Sequence, residues 1–407
     1  MSRLSRRVLL GGLTAAPLAA PGLIRAQSTS KPIKIGILSD MSGPYRDVGG
    51  PGNRLGVELA IQDHGGSVLG RAVEVLQADD QNKPDISSAI SREWIDSAGV
   101  DVLMDGAGSS AGLAIQQVAR EKKRPYLITG PATSDMTGAQ CSPFGIHFIY
   151  DTFALSNGTG NALTKAGGDT WFFITADYAF GYALERDTGN AVKAAGGKIL
   201  GSVKAPLGTA DFSTFLIQAQ ASGAKVIGFA NAGTDLQNCI KQAAEFGLTK
   251  GGAKVATLLM AINDVNSLGH KTCEGLVYTD SFYWNLNDAT RAWSKRWSAK
   301  MGGMVPGLLH AGNYAAANHW LKAVKAVGST DAEAVVARMK ATPVDDFYNT
   351  GVTIREDGRV MHQMYLWQVK PVAKATSQYD FCDQLAVIPA AEAWRPLKDG
   401  GCPLIKA

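Results

Sequence analysis

The sequence predicts an α/β protein of two lobes, each built on a parallel sheet with helices on both faces. Three observations carry that expectation. Apolar runs of strand length alternate with segments of helical period along nearly the whole chain, which is the rhythm of parallel strands joined by helical crossovers. The chain has 407 residues, 45% of them hydrophobic and 19% charged, enough for two cores of ordinary size. Three extended pieces, His147–Ala154, Gly275–Trp284 and Met361–Val369, interrupt the rhythm and read as crossings between lobes. The expected boundaries are 31–148 with 285–362 for lobe 1, and 149–284 with 363–407 for lobe 2. A cleft between lobes joined in this way is a natural hinge around a ligand.

The first 26 residues divide into a basic start, Met1–Arg7, an apolar middle, Val8–Leu23, and Ile24-Arg25-Ala26. That is the pattern of a signal peptide, with cleavage expected after Ala26 and the mature protein expected in the periplasm. The apolar middle is broken by Gly and Pro and is too short for a comfortable membrane span. Ser5-Arg6-Arg7-Val8-Leu9-Leu10 also fits the twin-arginine route, so that route and the general secretory one both stay open. Arg3, Arg6, Arg7 and Arg25 account for the formal charge of +4, and without them 36 basic residues face 36 acidic ones. A neutral mature chain points to neither a nucleic acid nor a membrane surface as partner. The five cysteines, Cys141, Cys239, Cys273, Cys382 and Cys402, lack metal-ligand spacing, so no metal site is expected. Export to an oxidising compartment favours one or two disulfides with one thiol left over, and Cys402 is the expected partner in one of them.

The expected strands are Ile33–Leu38, Ala72–Ala78, Val102–Met104, Pro125–Thr129, Thr170–Thr175, Lys198–Val203, Val226–Ala230 and Lys254–Leu259. Between them the helical period marks Arg54–His64, Ile86–Ser97, Leu113–Arg120, Tyr182–Ala195, Phe212–Ser222 and Leu236–Phe246. The first unit is the most telling: a buried strand, then Ser39-Asp-Met-Ser-Gly-Pro44, then a segment helical by about Asn53. Open α/β sheets hold their ligands at such strand ends, where free helix N–H groups meet them.

Four further turns repeat that arrangement. Gly106-Ala-Gly108-Ser109-Ser110-Ala111 matches a dinucleotide fingerprint with Ala in its third position. However, the next strand ends in Gly-Pro-Ala-Thr rather than in the acid a ribose needs. Ser109 and Ser110, with the first helical N–H groups, suit a carboxylate better. Thr129-Gly-Pro131-Ala132-Thr133-Ser134 offers a second set of N–H groups and hydroxyls, with helix capping by Thr133 or Ser134 as the plain alternative. Asp177-Tyr178-Ala-Phe180-Gly181 and Ala230-Asn231-Ala232-Gly233-Thr234-Asp235 are the matching turns of the second block. No nucleophile elbow, metalloprotease helix or recognisable carboxylate pair occurs, and the six histidines are isolated. Neither catalytic residues nor a cofactor are therefore expected.

Taken together, Lys34–Pro44, Gly106–Gly112, Thr129–Ser134 and the run from Asp177 through Asp211-Phe-Ser to Gly247 resemble the leucine/isoleucine/valine-binding protein family. These are periplasmic solute receptors of ABC importers. The resemblance implies the type I periplasmic binding protein fold: two Rossmann-like lobes, three hinge crossings and a ligand between strand ends. It also implies hinge closure, delivery to the importer's permease subunits and a monomeric receptor. Ser109 falls where the family binds a ligand carboxylate, and Pro131, Ala132 and Thr133 fall on the second carboxylate turn. Phe180 replaces a ligand-side tyrosine, Asn231 and Ala232 lie on the next ligand-facing loop, and Tyr45 can substitute for an aromatic where Val48 stands.

The departure from the family lies in the anchor for an ammonium. Ala261 stands where amino-acid receptors place an acid, with Asp264 the nearest carboxylate. Ala154 aligns with the second acid, and Asp151 lies close by. An ammonium needs an anion or several acceptors to repay its desolvation. The expected ligand is therefore an aromatic or other apolar carboxylic acid, enclosed by Tyr45, Tyr150, Phe180 and Phe282. A branched-chain amino acid is the alternative, and a periplasmic sensor for a signalling partner is the alternative of another class.

Overall fold

The computed structural model describes residues 31–406; the expected signal peptide lies outside the described residues. The first sheet contains β1 (Ile33–Ser39), β2 (Ser67–Val68), β3 (Arg71–Asp79), β4 (Val102–Asp105), β5 (Tyr126–Ile128) and β6 (Gly145–His147), in the order β2-β3-β1-β4-β5-β6. All its pairings are parallel except the short β2–β3 hairpin. Ile33, Ile35 and Ile37 of central β1 are fully buried, because helices cover both faces of a parallel sheet. The second sheet is wholly parallel: β7 (Thr170–Ala176), β8 (Lys198–Ala205), β9 (Val226–Ala230) and β10 (Lys254–Thr257), in the order β10-β9-β7-β8.

A third, antiparallel sheet joins β11 (Val277–Asp280), β12 (Met364–Val369) and β13 (Cys382–Ile388). Two of the expected crossings thus become neighbouring strands. The first crossing, after β6, runs beside the segment leading to the third: His147 N–H donates to Gly358 O (2.9 Å) and Val360 N–H to His147 O (3.1 Å). Between them sits Arg359, with no exposed surface. Its guanidinium donates to the carbonyls of His147 and Ile149, and its Nε to Val360 O at 3.2 Å. It also faces Asp151 at 3.6 Å and stacks 4.1 Å from the centre of the Trp394 ring. Burial lowers its pKa to about 10, so it stays charged at neutral pH.

The segment after β13, expected with lobe 2, runs back to lobe 1. Trp394 Nε1 donates to His362 O (2.7 Å), Arg395 Nη2 donates to Ser134 O (2.9 Å), and Cys402 bonds to Cys141 with the Cα atoms 5.6 Å apart. The bridge dictates this return, since Cys141 lies between β5 and β6. It is the one disulfide among the described residues. Cys239, Cys273 and Cys382 are buried thiols, three rather than the single one expected. Burial pushes the pKa of each thiol well up, which suppresses the thiolate that exchange requires.

The long helix Leu308–Val327 is buried on nearly every side and carries His310 at its start. His310 Nδ1 accepts the Gly307 N–H (3.0 Å), and its Nε2 lies 3.3 Å from Gly49 O. Burial is the main cause holding its pKa down to about 4, against about 6.5 in an unfolded chain. The unfolded state therefore binds the extra proton below pH 6.5, and the stability this residue contributes is lost as pH falls toward 4. From pH 6.5 to 5 the loss is about 1–2 kcal/mol. Urea unfolding at the two pH values should show a drop smaller by that amount in His310→Asn than in the unmodified protein.

Candidate functional site

Strand ends of the two sheets face one another across a cavity holding about 470 Å³ of space free of atoms, its open mouth included. Lobe 1 contributes the turn after β1 (Asp40, Tyr45), Asn53, the β4 turn (Asp105, Ser109) and Ala132 after β5. Tyr150 of the first crossing adds a wall. Tyr178, Phe180, Ala232 and Leu259 face them from lobe 2.

Four helices begin at this cavity: Gly50–Asp63, Ser109–Glu121, Ala179–Ala194 and Gly233–Glu245. The residues preceding or opening them, Gly49, Gly108, Tyr178 and Ala232, all line it, and none gives a side-chain cap. Elsewhere Asn287 and Asp331 do cap their helices. Starts without side-chain caps turn the positive ends of the helix dipoles toward the enclosed space, the arrangement that receives an anion, although Gly52 N–H is spent on Gly49 O and Thr234 N–H on Pro44 O.

Ser109 is 1% exposed. Its Oγ accepts the N–H groups of Ala132 (3.3 Å) and Thr133 (3.1 Å). With both lone pairs engaged, its own O–H is left to donate. Two acids also reach the wall. Asp40 accepts the N–H groups of Gly43 (2.5 Å) and Tyr45 (3.0 Å) and so shapes the β1 turn. Asp105, also 1% exposed, accepts Ser39 Oγ (2.5 Å) and Asn53 Nδ2 (2.7 Å) at Oδ2. Burial raises its pKa to about 6, and those two donors pull the other way.

The lobes touch across the cavity mouth. Thr234 N–H donates to Pro44 O at 3.1 Å, and the Tyr45 and Tyr178 hydroxyls share a hydrogen bond. Gly233 has φ +58°, and a Cβ there would stand 2.2 Å from Pro44 O. Only glycine lets this backbone approach so closely.

The structure brings six of the expected residues, Tyr45, Ser109, Ala132, Tyr150, Phe180 and Ala232, onto one cavity. The other seven stand outside that wall. Ser110 is half-buried one position along its helix. Pro131 gives its carbonyl to His147 Nε2 (2.9 Å), and Thr133 caps the short turn Ser134–Thr137 by accepting the Asp135 N–H. Asp151 caps helix Thr152–Leu155 and faces Arg359. Asn231 is buried at the end of β9. Ala261 donates its N–H to Asp264 (2.9 Å), whose other oxygen accepts Gln237 Nε2 (2.8 Å). Phe282 packs edge-on against Trp293, Phe347 and Tyr348.

Among the residues that sequence reasoning leaves out of the site, Asp105 had a readable signal: an acid closing an apolar strand directly before the Gly-rich turn. Leu309 had none, since the helix that carries it arrives from the far end of lobe 1.

A family model described as periplasmic binding protein matches residues 32–376. A periplasmic binding protein of Burkholderia mallei is 47% identical, with TM-score 0.90 over 92% of this chain and 99% of that one. A structure from Burkholderia xenovorans, described as a branched chain amino acid ABC transporter periplasmic ligand-binding protein, is 38% identical. Its TM-score is 0.81, with 91% and 99% covered. A solute binding protein of an ABC transporter from Rhodopseudomonas palustris, in complex with 3,4-dihydroxy benzoic acid, shares the fold at 24% identity. There the TM-score is 0.79 over 88% and 97%. The chain spans 61% of the length of the curated relatives it matches, Leu/Ile/Val-binding protein homologues of Brucella. With most of its length matched by the family model and its whole fold shared, the chain belongs to the periplasmic binding protein family.

Proposed function

We propose that this protein is a periplasmic receptor of an ABC importer that captures a small carboxylate by hinge closure and delivers it to a membrane permease. The observation that carries the reading is the convergence of four uncapped helix starts and the Ser109 hydroxyl on one cavity. Tyr45, Tyr150, Tyr178 and Phe180 surround the same space with aromatic surface, which suits an aromatic or other apolar acid. Neither carboxylate near the family's usual ammonium positions is free to serve: Asp264 is held by Ala261 and Gln237, and Asp151 by Ala154 and Arg359. A branched-chain amino acid is the second reading, favoured by the Burkholderia xenovorans likeness and by the acid Asp105 on the wall.

A thermal-shift screen of the purified protein against amino acids, benzoate-like acids, phenylpropenoic acids and aliphatic acids tests the choice. A ligand at a hundred times its dissociation constant adds about 2.7 kcal/mol of stability. Strong shifts with leucine or valine and none with acids lacking an amine would overturn the preference for apolar acids. Ser109→Ala should weaken the bound acid by about 1.5–3 kcal/mol, the size of a hydrogen bond to a charged group; titration calorimetry reads this directly, and an unchanged affinity removes the hydroxyl from the site. Gly233→Ala should weaken the same acid roughly tenfold or more through faster release, because closure then forces a backbone clash. A release rate equal to that of the unmodified protein in stopped-flow measurements would show that closure does without this contact.

A further inference from the structure

Asp105 holds a position that carboxylate capture does not explain. It ends β4 with φ +70°, and Gly106 and Ala107 follow at +97° and +38°, so three consecutive residues take left-handed backbone. For a non-glycine residue that conformation is unfavourable and persists where the surroundings impose it. Its carboxyl is fixed from one side only. Oδ2 takes both donors, Ser39 Oγ and Asn53 Nδ2. Oδ1 is buried with no hydrogen-bond partner among the described residues, and Asn53 Oδ1 is in the same condition. The Ala107 N–H lies near enough to favour the ionised form without reaching bonding geometry. Gly130 keeps the space beside Oδ1 open, since a Cβ there would stand 2.4 Å from it. Asp105, Asn53, Gly130 and Ser109 all line the same cavity. No cation pairs with the Asp105 carboxylate among the described residues.

Two buried acceptors thus sit on the wall beside the Ser109 helix start, and a buried acceptor left unmet is costly. We propose that Asp105 is a specificity-determining residue that selects carboxylates carrying a hydrogen-bond donor, hydroxyl or ammonium, close to the carboxylate. The inference rests on the carboxylate reading of the cavity and narrows it. Ser109 and the helix start receive the ligand's anion; Asp105 Oδ1, with Asn53 Oδ1 beside it, receives the donor. A ligand without that donor brings its negative charge next to an unsatisfied carboxyl and gains nothing there.

Titration calorimetry on the full mature chain tests this with two skeletons: phenylacetate, mandelate and phenylglycine, and 4-methylpentanoate, 2-hydroxy-4-methylpentanoate and leucine. The expected result is that, in at least one series, the hydroxyl or amino form binds roughly tenfold or more tightly than the bare acid, one hydrogen bond to a charged group. Which form leads distinguishes a hydroxyl from an ammonium. Asp105→Asn tolerates the left-handed backbone. Its amide oxygen must meet Ser39 and Asn53, which turns its NH₂ toward the cavity and reverses the hydrogen-bonding sense. In that variant the preference should vanish or invert. Equal binding of bare and substituted acids by the unmodified protein in both series, or an unchanged preference in Asp105→Asn, overturns the proposal. The unmodified protein's ranking decides alone if the variant does not fold. The primary amides of the same skeletons separate the two levels of inference. Amides that bind as tightly as the acids defeat the carboxylate reading and this proposal with it, as does no binding by any of the six. Acids that bind without regard to the donor defeat this proposal alone.

Discussion

One buried cation organises the hinge. Arg359 gathers carbonyls from the first crossing (His147, Ile149) and the approach to the third (Val360), the carboxylate of Asp151, and the Trp394 ring of the returning tail. Burying a guanidinium costs several kcal/mol; here three carbonyls, the Asp151 carboxylate and the Trp394 ring offset part of that cost, and Nη1 makes no hydrogen bond among the described residues. Because its partners come from all of these segments, the side chain ties them together. The neighbouring His147 is kept neutral, chiefly by burial and next by the Arg359 charge. It can then make its single bond from Nε2 to Pro131 O.

That bond ties the hinge to the cavity wall. The turn after β5 is gripped at Pro131 O by His147 and at Ala132 O by the Thr152 N–H (2.8 Å). Its N–H groups meanwhile point to Ser109. Ala132 therefore lies in the cavity on a strip of backbone whose other edge belongs to the hinge. The polar side chains on the cavity wall are concentrated in lobe 1, with Ser109, Asn53, Asp40 and Asp105. Lobe 2 contributes mostly aromatic and small apolar surface. This division suits a sequence in which one lobe fixes the ligand's orientation and the other excludes water over it.

How far this was legible in sequence depended on whether a signal was local. The alternation of Ile33, Ile35 and Ile37 and the turn at Gly108-Ser109 are local patterns, and the fold follows from them, as does the placing of six expected residues on one cavity. The β4 turn reads first as a Gly-rich loop, which draws attention away from the acid immediately before it. Asp151 and Phe282 sit on crossings, and nothing in sequence says to which side a crossing residue turns. Arg359 and the Ala154 N–H claim the first; Trp293, Phe347 and Tyr348, from lobe 1, claim the second. The returning tail escaped notice because its anchor is a bond spanning 261 residues, and pairing among five cysteines has no local signature.

The span of that bond also leaves three other cysteines between its ends. Cys141 emerges long before Cys402, and Cys239, Cys273 and Cys382 all appear in between. Each of these could capture it in an oxidising compartment. Packing them into lobe 2 shields their sulfurs and holds them as thiols. In the folded chain that shielding keeps all three from exchanging with the Cys141–Cys402 bridge.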